Sequence, residues 1–353
     1  MSMPTRALGD AQVSAIGFGA MGIGGYCYGA DAGSDEERFR VLDRAYELGC
    51  RFWDTANIYG DSEELIGHWF ARNPEKRKDI FLATKFGFRF STILQVEMQD
   101  DGRPRFDAGP ENVKESCTLA LKKLQVEQID LFYAHRVDPK VPIEITVRAM
   151  AELVKEGKVR NLGLSDPSAS ALRRAYAVHP IAAVQVEYAP ITLDIEDPKI
   201  GLLDACRELG VKVIPWSPLG RGILTGQYRS PDEFPADDYR RYVPRFSVEN
   251  FPKVLLVADT LKDIADKHGA TAGQVALAWI LAQGEDFIPI PGTKNIKYLE
   301  QNIGAAYVKL TQEEVAKVRK AAIDSGTADT MRMVAEHAES SFQDSPPLEG
   351  YKA

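Results

Sequence analysis

Four side chains capable of acid–base chemistry lie at or just beyond the ends of short apolar segments: Asp54, Tyr59, Lys85 and His135. A free tyrosine has a pKa of about 10 and is a poor proton donor at neutral pH. A neighbouring ammonium favours the phenolate and lowers that pKa, and an aspartate can hold the ammonium in place. Asp54, Lys85 and Tyr59 together could therefore form a tuned general acid.

Each of these residues also has a purely structural interpretation. Asp54 and Lys85 could simply pair with each other, and a lone histidine such as His135 is more often a satisfied core residue than a catalyst. Charged residues at the ends of apolar strands are nevertheless costly unless they are paired or used. Three such residues from three strands favour an active site, because parallel barrels place their sites at the carboxyl ends of their strands.

The elements that would position these side chains alternate regularly between strand and helix. Candidate strands lie near residues 16–19, 52–54, 80–85, 129–135, 159–165, 184–186, 211–216 and 287–290. Candidate helices lie near 35–48, 62–72, 110–124, 142–156, 168–177, 199–209, 253–268 and 295–303. Eight such units predict an α/β protein with a (β/α)8 TIM barrel, the alternative being an open doubly wound sheet.

No low-complexity linker divides the sequence, which predicts a single domain over residues 1–353 with a core at about 6–322. The polar stretch 325–353 is interpreted as a C-terminal extension, either a tail or a covering loop.

Gly17, Gly19 and Gly22 have the G-x-G-x-x-G spacing of a Rossmann dinucleotide site. In such a site the last glycine opens a helix whose N-terminus holds the pyrophosphate. Here a glycine-rich loop follows instead, and the next helix signal is the capping box that begins at Ser34. The motif is therefore interpreted as a loop after the first barrel strand.

The bulk composition excludes several classes of function. The 353 residues carry a formal net charge of −8, which does not favour nucleic acid or an anionic membrane as a partner. No stretch is apolar enough to span a bilayer, and the first residues lack the apolar region of a signal peptide. The four cysteines are scattered, and the five histidines show no metal-ligand spacing. These features predict a cytoplasmic protein without a metal.

Several separate motifs, in order along the sequence, carry a resemblance to a known family. They are DTANIYGDSEELIG, IFLATK, DLFYAHR, GLS, QVEY, WSPLGRGILTG and IPGTKNIKYLEQN. Together they resemble the aldo-keto reductase superfamily, and in particular its longer microbial and plant members. The resemblance implies a TIM barrel that binds NADPH in extended form without a Rossmann motif.

The resemblance also implies roles for the four residues above. Tyr59 would protonate the carbonyl oxygen of an aldehyde or ketone as hydride arrives. Lys85 would lower the pKa of Tyr59, Asp54 would hold Lys85, and His135 would orient the carbonyl oxygen.

The same resemblance implies a cofactor site in four parts. Ser165, Asp166 and Gln185 would hold the nicotinamide amide, and Trp216 would stack on its ring. The loop residues that would cover the pyrophosphate are Ser217, Leu219, Gly220, Arg221 and Gly222. Residues implied near the adenosine 2′-phosphate are Gly292, Thr293, Lys294, Gln301 and Asn302. Met21 from the first loop completes the set.

Three positions depart from the family pattern. Asp166 stands where many members have Asn or Glu, Tyr298 where Arg is common, and Gln301 where Glu is common. Loss of an arginine fork weakens phosphate recognition, although Lys294 could still supply a positive charge. On the strength of the resemblance, NADPH is still preferred over NADH as the predicted cofactor.

Three functions remain open from sequence. The main hypothesis is an NADPH-dependent reductase of a small-molecule carbonyl compound, the reverse direction being the same chemistry. The first alternative is a cofactor-binding regulatory subunit of a partner protein, and the second is a lyase with Lys85 as a Schiff base.

The substrate itself is not identified by sequence. Its wall is predicted from Met21, Tyr26, Phe86, Phe88 and the tail. Three further charged residues, Arg240, Arg241 and Arg245, are interpreted as a solvated face rather than a cofactor clasp.

Overall fold

A computed structural model describes residues 2–25, 33–92, 95–97, 105–334 and 341–351 of the chain. Its strands are β1 (Thr5–Leu8), β2 (Ala11–Ser14), β3 (Phe18–Gly19), β4 (Phe52–Asp54), β5 (Phe81–Phe86), β6 (Phe90–Thr92), β7 (Gln95–Val96), β8 (Ile129–Ala134), β9 (Val159–Ser165), β10 (Ile181–Glu187) and β11 (Lys212–Trp216). Seven of them form one parallel sheet in the order β11-β10-β9-β8-β5-β4-β3. β1 with β2, and β6 with β7, form two separate antiparallel pairs.

Ten α-helices occur in the described ranges. They are α1 (Asp35–Glu47), α2 (Ser62–Arg72), α3 (Pro110–Leu124), α4 (Ile143–Lys155), α5 (Ala169–Val178), α6 (Leu202–Leu209), α7 (Phe251–His268), α8 (Ala272–Leu281), α9 (Ile296–Gly304) and α10 (Gln312–Asp324). The eight predicted helices correspond to α1–α7 and α9, whereas α8 and α10 were not predicted. None of the ten has the length and apolar character that crossing a membrane would need.

The barrel is closed between β11 and β3 by residues 286–292. The backbone N–H groups of Ile288 and Ile290 donate to carbonyls of β11 at 2.9 and 3.1 Å. On the other side, the carbonyls of Pro289 and Pro291 accept N–H groups at 2.9 and 3.2 Å from the segment that contains β3. Because proline has no N–H to return, this eighth strand pairs through isolated bridges rather than a continuous ladder. The predicted (β/α)8 barrel is confirmed.

α1 begins at the predicted capping box, in which the Ser34 and Glu37 side chains each accept the other residue's backbone N–H. Within the described residues, Gly22 opens a short 3-10 turn, Gly22–Gly24, and the first α-helix after the glycine motif is α1, which begins at Asp35. The interpretation of this motif as a barrel loop is therefore confirmed.

The β1–β2 hairpin, which the sequence analysis missed, plugs the amino-terminal end of the barrel. Leu8 and Val13 are fully buried and pack with the side chains that fill the barrel interior. The Ser14 hydroxyl accepts the backbone N–H of Arg51 at 3.0 Å and also that of Phe52, which begins β4. The hairpin leaves the carboxyl ends of the strands uncovered, and these ends carry the candidate site.

We expect Leu8→Ala to lower the free energy of unfolding by about 2–5 kcal/mol, because it opens a cavity at the closed end of the barrel. The measurement is urea unfolding followed by circular dichroism. Leu119→Ala, at a position 51% exposed, is the control and should change stability by less than about 0.5 kcal/mol. Equal effects of the two substitutions would show that the hairpin does not contribute to the core.

Candidate active site

The four polar residues that line the centre of the site enter the barrel from neighbouring strands. Asp54 ends β4, Lys85 lies one residue before the end of β5, His135 directly follows β8, and Gln185 lies in β10. Each comes two residues after a side chain of the barrel interior, namely Phe52, Ala83, Tyr133 and Ala183. Because alternate residues of a strand face the same side, all four point into the barrel near its carboxyl end.

Asp54 and Lys85 form a fully buried ion pair. The Lys85 Nζ atom lies 2.5 Å from Asp54 Oδ1 and donates to the Thr55 carbonyl at 2.8 Å. Gln185 Nε2 donates to the second Asp54 oxygen at 2.8 Å. Burial lowers the pKa of Lys85, but Asp54 and Tyr59 outweigh burial and hold the pKa above its ordinary value. Lys85 is therefore an ammonium in this site.

Tyr59 lies within reach of that ammonium. Lys85 Nζ donates to the Tyr59 hydroxyl at 3.5 Å and lies 4.9 Å from the centre of its ring. Gly24 packs so closely on the Tyr59 carbonyl that a Cβ atom there would lie 1.9 Å from the oxygen. Burial raises the pKa of Tyr59 above its ordinary value, and Lys85 opposes this increase. The expected lowering by Lys85 is present, but burial outweighs it.

His135 is held between two aromatic rings. Its ring meets Tyr59 edge-on at 5.9 Å and Phe88 edge-on at 5.0 Å between centroids. The amide of Asn57 donates to the Phe88 carbonyl at 3.0 Å and fixes that residue at the edge of the site. Burial, reinforced by the charges of Lys85 and Arg136, lowers the pKa of His135 well below its ordinary value. His135 is therefore neutral at physiological pH.

The predicted aromatic wall is wrong in one of its members. Phe88 borders His135 and is partly exposed, so its place in the substrate wall stays a prediction. Phe86 is fully buried and stacks on Phe132 at 4.8 Å, so it belongs to the core around the barrel. The earlier interpretation of Phe86 as wall was wrong, because strand alternation turns it away from the interior that Lys85 faces. Tyr26 lies outside the described residues.

Ser165, Asp166 and Arg136 form a second polar group beside His135. Arg136 Nη1 donates to the Ser165 hydroxyl at 3.3 Å and lies 3.2 Å from Asp166 Oδ2. Asp166 is fully buried with a left-handed backbone (φ 49°), and neither carboxylate oxygen accepts a hydrogen bond. A buried carboxylate that is ion-paired but accepts no hydrogen bond is incompletely compensated, so the arrangement suits a ligand that brings an N–H group.

The remaining predicted cofactor residues lie around the same mouth of the barrel. Trp216 ends β11 and is partly exposed. The loop after it is left-handed at Ser217, Gly220, Arg221 and Gly222, and Leu219 lies within this loop. Such backbone reversals can form a concavity for an anion.

Gly292 lies at the end of the segment between β11 and β3, where it pairs with Gly19 of β3. Met21 precedes the 3-10 turn of the glycine loop. Thr293 and the exposed Lys294 lie just before α9, which carries Gln301 and the buried Asn302.

The interpretation of the arginine group as a solvated face was wrong for two of its members. Arg240 and Arg245 are buried, whereas Arg241 is exposed. Arg245 donates to acceptors around residues 191–192 and 330. The sequence analysis also missed Arg136, which directly follows His135 in the DLFYAHR motif. Its position after a strand end was the available signal.

Residues 15–323 match the family model described as "Aldo/keto reductase family". The aldo-keto reductase str7 of Strobilurus tenacellus is 61% identical over 330 residues, covering 92% of this chain and 94% of the relative. The aldo-keto reductase yakc [NADP(+)] of Schizosaccharomyces pombe is 44% identical and covers 99% of both chains.

Solved structures agree with the sequence comparisons. The glycerol dehydrogenase AKR11B4 from Gluconobacter oxydans superposes with a TM-score of 0.79 at 28% identity and covers 100% of both chains. Fold, motifs and relatives all lead to the same assignment: the chain belongs to the aldo/keto reductase family.

Proposed function

We propose that this protein is an NADPH-dependent oxidoreductase that reduces an aldehyde or ketone to an alcohol, with Tyr59 as proton donor. The observation that carries the proposal is the contact chain from Asp54 through Lys85 to Tyr59 at the open end of the barrel. The name of the Schizosaccharomyces pombe relative includes NADP(+), which supports the same cofactor here. When bound, that cofactor supplies the hydride.

The residues present fit a nicotinamide cofactor. The donor-free carboxylate of Asp166 can accept the N–H of the nicotinamide amide, while Ser165 and Arg136 offer donors for its oxygen. Trp216 offers a ring face, the loop from Ser217 a concavity for the pyrophosphate, and Lys294 a positive charge for the 2′-phosphate. Many family members have asparagine at this position. An aspartate there changes the contact with the nicotinamide amide but does not remove it.

Tyr59 is the group best suited to deliver the proton. His135 is neutral and buried, so its ring can donate a hydrogen bond that orients a carbonyl oxygen but carries no extra proton at neutral pH. The Tyr59 hydroxyl keeps its proton until negative charge develops on the substrate oxygen. Lys85 then stabilises the phenolate that remains, and Asp54 keeps Lys85 in place.

The lyase alternative conflicts with the state of Lys85. A Schiff base requires a neutral amine with a free lone pair. Here the ammonium is held by a carboxylate, a carbonyl and a hydroxyl, and Asp54 and Tyr59 outweigh burial to raise its pKa. This arrangement supports an electrostatic role for Lys85.

We expect Tyr59→Phe to lower kcat with an aromatic aldehyde by about 10²- to 10⁴-fold, the usual contribution of a general acid. NADPH affinity, measured by fluorescence titration, should stay unchanged because the ring is kept. Initial rates of NADPH consumption provide the measurement. Tyr133→Phe is the matched control, since this ring also lies near Lys85 Nζ, at 5.9 Å, yet has no assigned role.

A Tyr59→Phe variant with the wild-type rate would contradict the assignment of the proton donor. Binding of NADPH without turnover of any aldehyde or ketone by wild type would instead favour the regulatory-subunit alternative.

The neutral state of His135 predicts a pH dependence of stability. A histidine has a pKa of about 6.5 when unfolded, and its pKa in the folded chain is far lower. Below pH 6.5 the unfolded chain therefore binds the extra proton, so unfolding becomes easier as pH falls. Between pH 7 and pH 5, the free energy of unfolding of wild type should fall by about 1–2 kcal/mol more than that of His135→Gln.

Urea unfolding at the two pH values measures this difference, and His68→Gln on the exposed side of α2 controls for loss of a histidine elsewhere. Parallel pH dependences of wild type and His135→Gln would mean that His135 is not buried in its neutral form.

A further inference from the structure

Glu187 is a buried acid at the mouth of the barrel that the mechanism above does not use. It ends β10, lies two residues after Gln185 on the same face, and is paired in register with Trp216 of β11. Only 4% of it is exposed. Glu187 therefore lies beside Trp216, whose ring we assign to the cofactor site.

One oxygen of Glu187 faces two guanidinium groups from distant segments. Arg332 Nη1 donates to Oε2 at 2.8 Å, and Arg221 Nη2 lies 3.6 Å from the same atom. Both arginine side chains are buried. Arg332 Nε also lies 3.6 Å from Asp194 Oδ1. Without the Glu187 carboxylate, the two guanidinium groups would face each other with less compensating negative charge in a poorly solvated place, which is unfavourable.

Each arginine belongs to a segment that also receives a hydrogen bond from an arginine of the stretch 238–246. Arg221 lies in the loop assigned to the pyrophosphate, where its carbonyl accepts from Arg240 at 3.0 Å. Arg332 lies in the C-terminal extension, next to Thr330, which Arg245 holds through both its hydroxyl and its carbonyl at 3.0 Å. Both anchors belong to the stretch of residues 238–246, so Glu187 adds a second, direct connection between the two segments.

We propose that Glu187 is a positioning residue that couples the cofactor loop to the C-terminal extension. When the cofactor orders the loop, Arg221 is fixed beside Glu187, and the carboxylate in turn holds Arg332 in place. Binding at one segment therefore stabilises the other, and the coupling is reciprocal. The inference rests on the proposed binding of NADP(H).

The test is hydrogen exchange of peptides covering residues 326–334, with and without saturating NADP+. In wild type, NADP+ should slow exchange in this region, whereas in Glu187→Gln it should have little effect. In Glu187→Gln, the Kd of NADP+ measured by intrinsic fluorescence should be about tenfold higher than in wild type, within the usual range of such couplings. Asp130→Asn is the matched control, because Asp130 is also a buried carboxylate that pairs with an arginine, Arg77 at 2.7 Å, but lies near the start of β8, at the opposite end of the barrel strands.

Arg332→Met provides a second, independent variant outside the barrel strands. This substitution should weaken NADP+ binding although Arg332 lies in the C-terminal extension. The double variant with Glu187→Gln should bind NADP+ no more weakly than the single variant with the lower affinity. If Glu187→Gln does not fold, Arg332→Met alone decides the question.

Two results would overturn the inference. One is wild-type NADP+ affinity in Arg332→Met, and the other is undiminished protection of 326–334 by NADP+ in Glu187→Gln. Failure of wild type to bind NADP+ at all would contradict the proposed function, and with it this coupling.

Discussion

The candidate site depends on one buried ion pair. Asp54 and Lys85 come from adjacent strands and have almost no contact with water. Removing either partner would leave an uncompensated charge inside the barrel, a loss of about 3–5 kcal/mol in comparable proteins. Because the two charges must stay together, Lys85 has only one arrangement, and this arrangement places its ammonium beside Tyr59. Gln185 completes the pair by donating to the remaining oxygen of Asp54.

Much of the barrel could be predicted because its strands and helices carry local signals. Capping residues and glycine ends marked most helices, and apolar runs marked the strands between them. α8 was missed because its sequence AGQVALAWIL is apolar on nearly all sides, as its eight buried residues show, so it has no helical period to detect. The β1–β2 hairpin was missed because its strands have four residues each and pack against distant parts of the chain.

The polar residues of the candidate site were easier to locate from sequence than their surroundings. Asp54, Lys85 and His135 are polar residues at the ends of apolar runs, and this contrast is visible in sequence. The burial of Arg245 is not visible in sequence, because its acceptors come from residues 191–192 and 330, which lie far away along the chain. Whether the side chains of Phe86 and Lys85 point into the barrel or away from it depends on the strand register. A register error of one residue reverses both directions. Local patterns thus locate chemistry, whereas long-range contacts decide which charges are buried.

Burial acts on Tyr59 and His135 in opposite directions, but the result for both is a neutral side chain. It raises the pKa of the phenol and lowers that of the imidazole. Apart from the compensated Asp54–Lys85 pair, the groups to which we assign the reaction are therefore uncharged. Negative charge that develops on a substrate oxygen would be the first uncompensated charge to appear beside Lys85. In such a weakly solvated place, a fixed ammonium stabilises that charge far more than it stabilises a neutral carbonyl, and this difference is what lowers a reaction barrier.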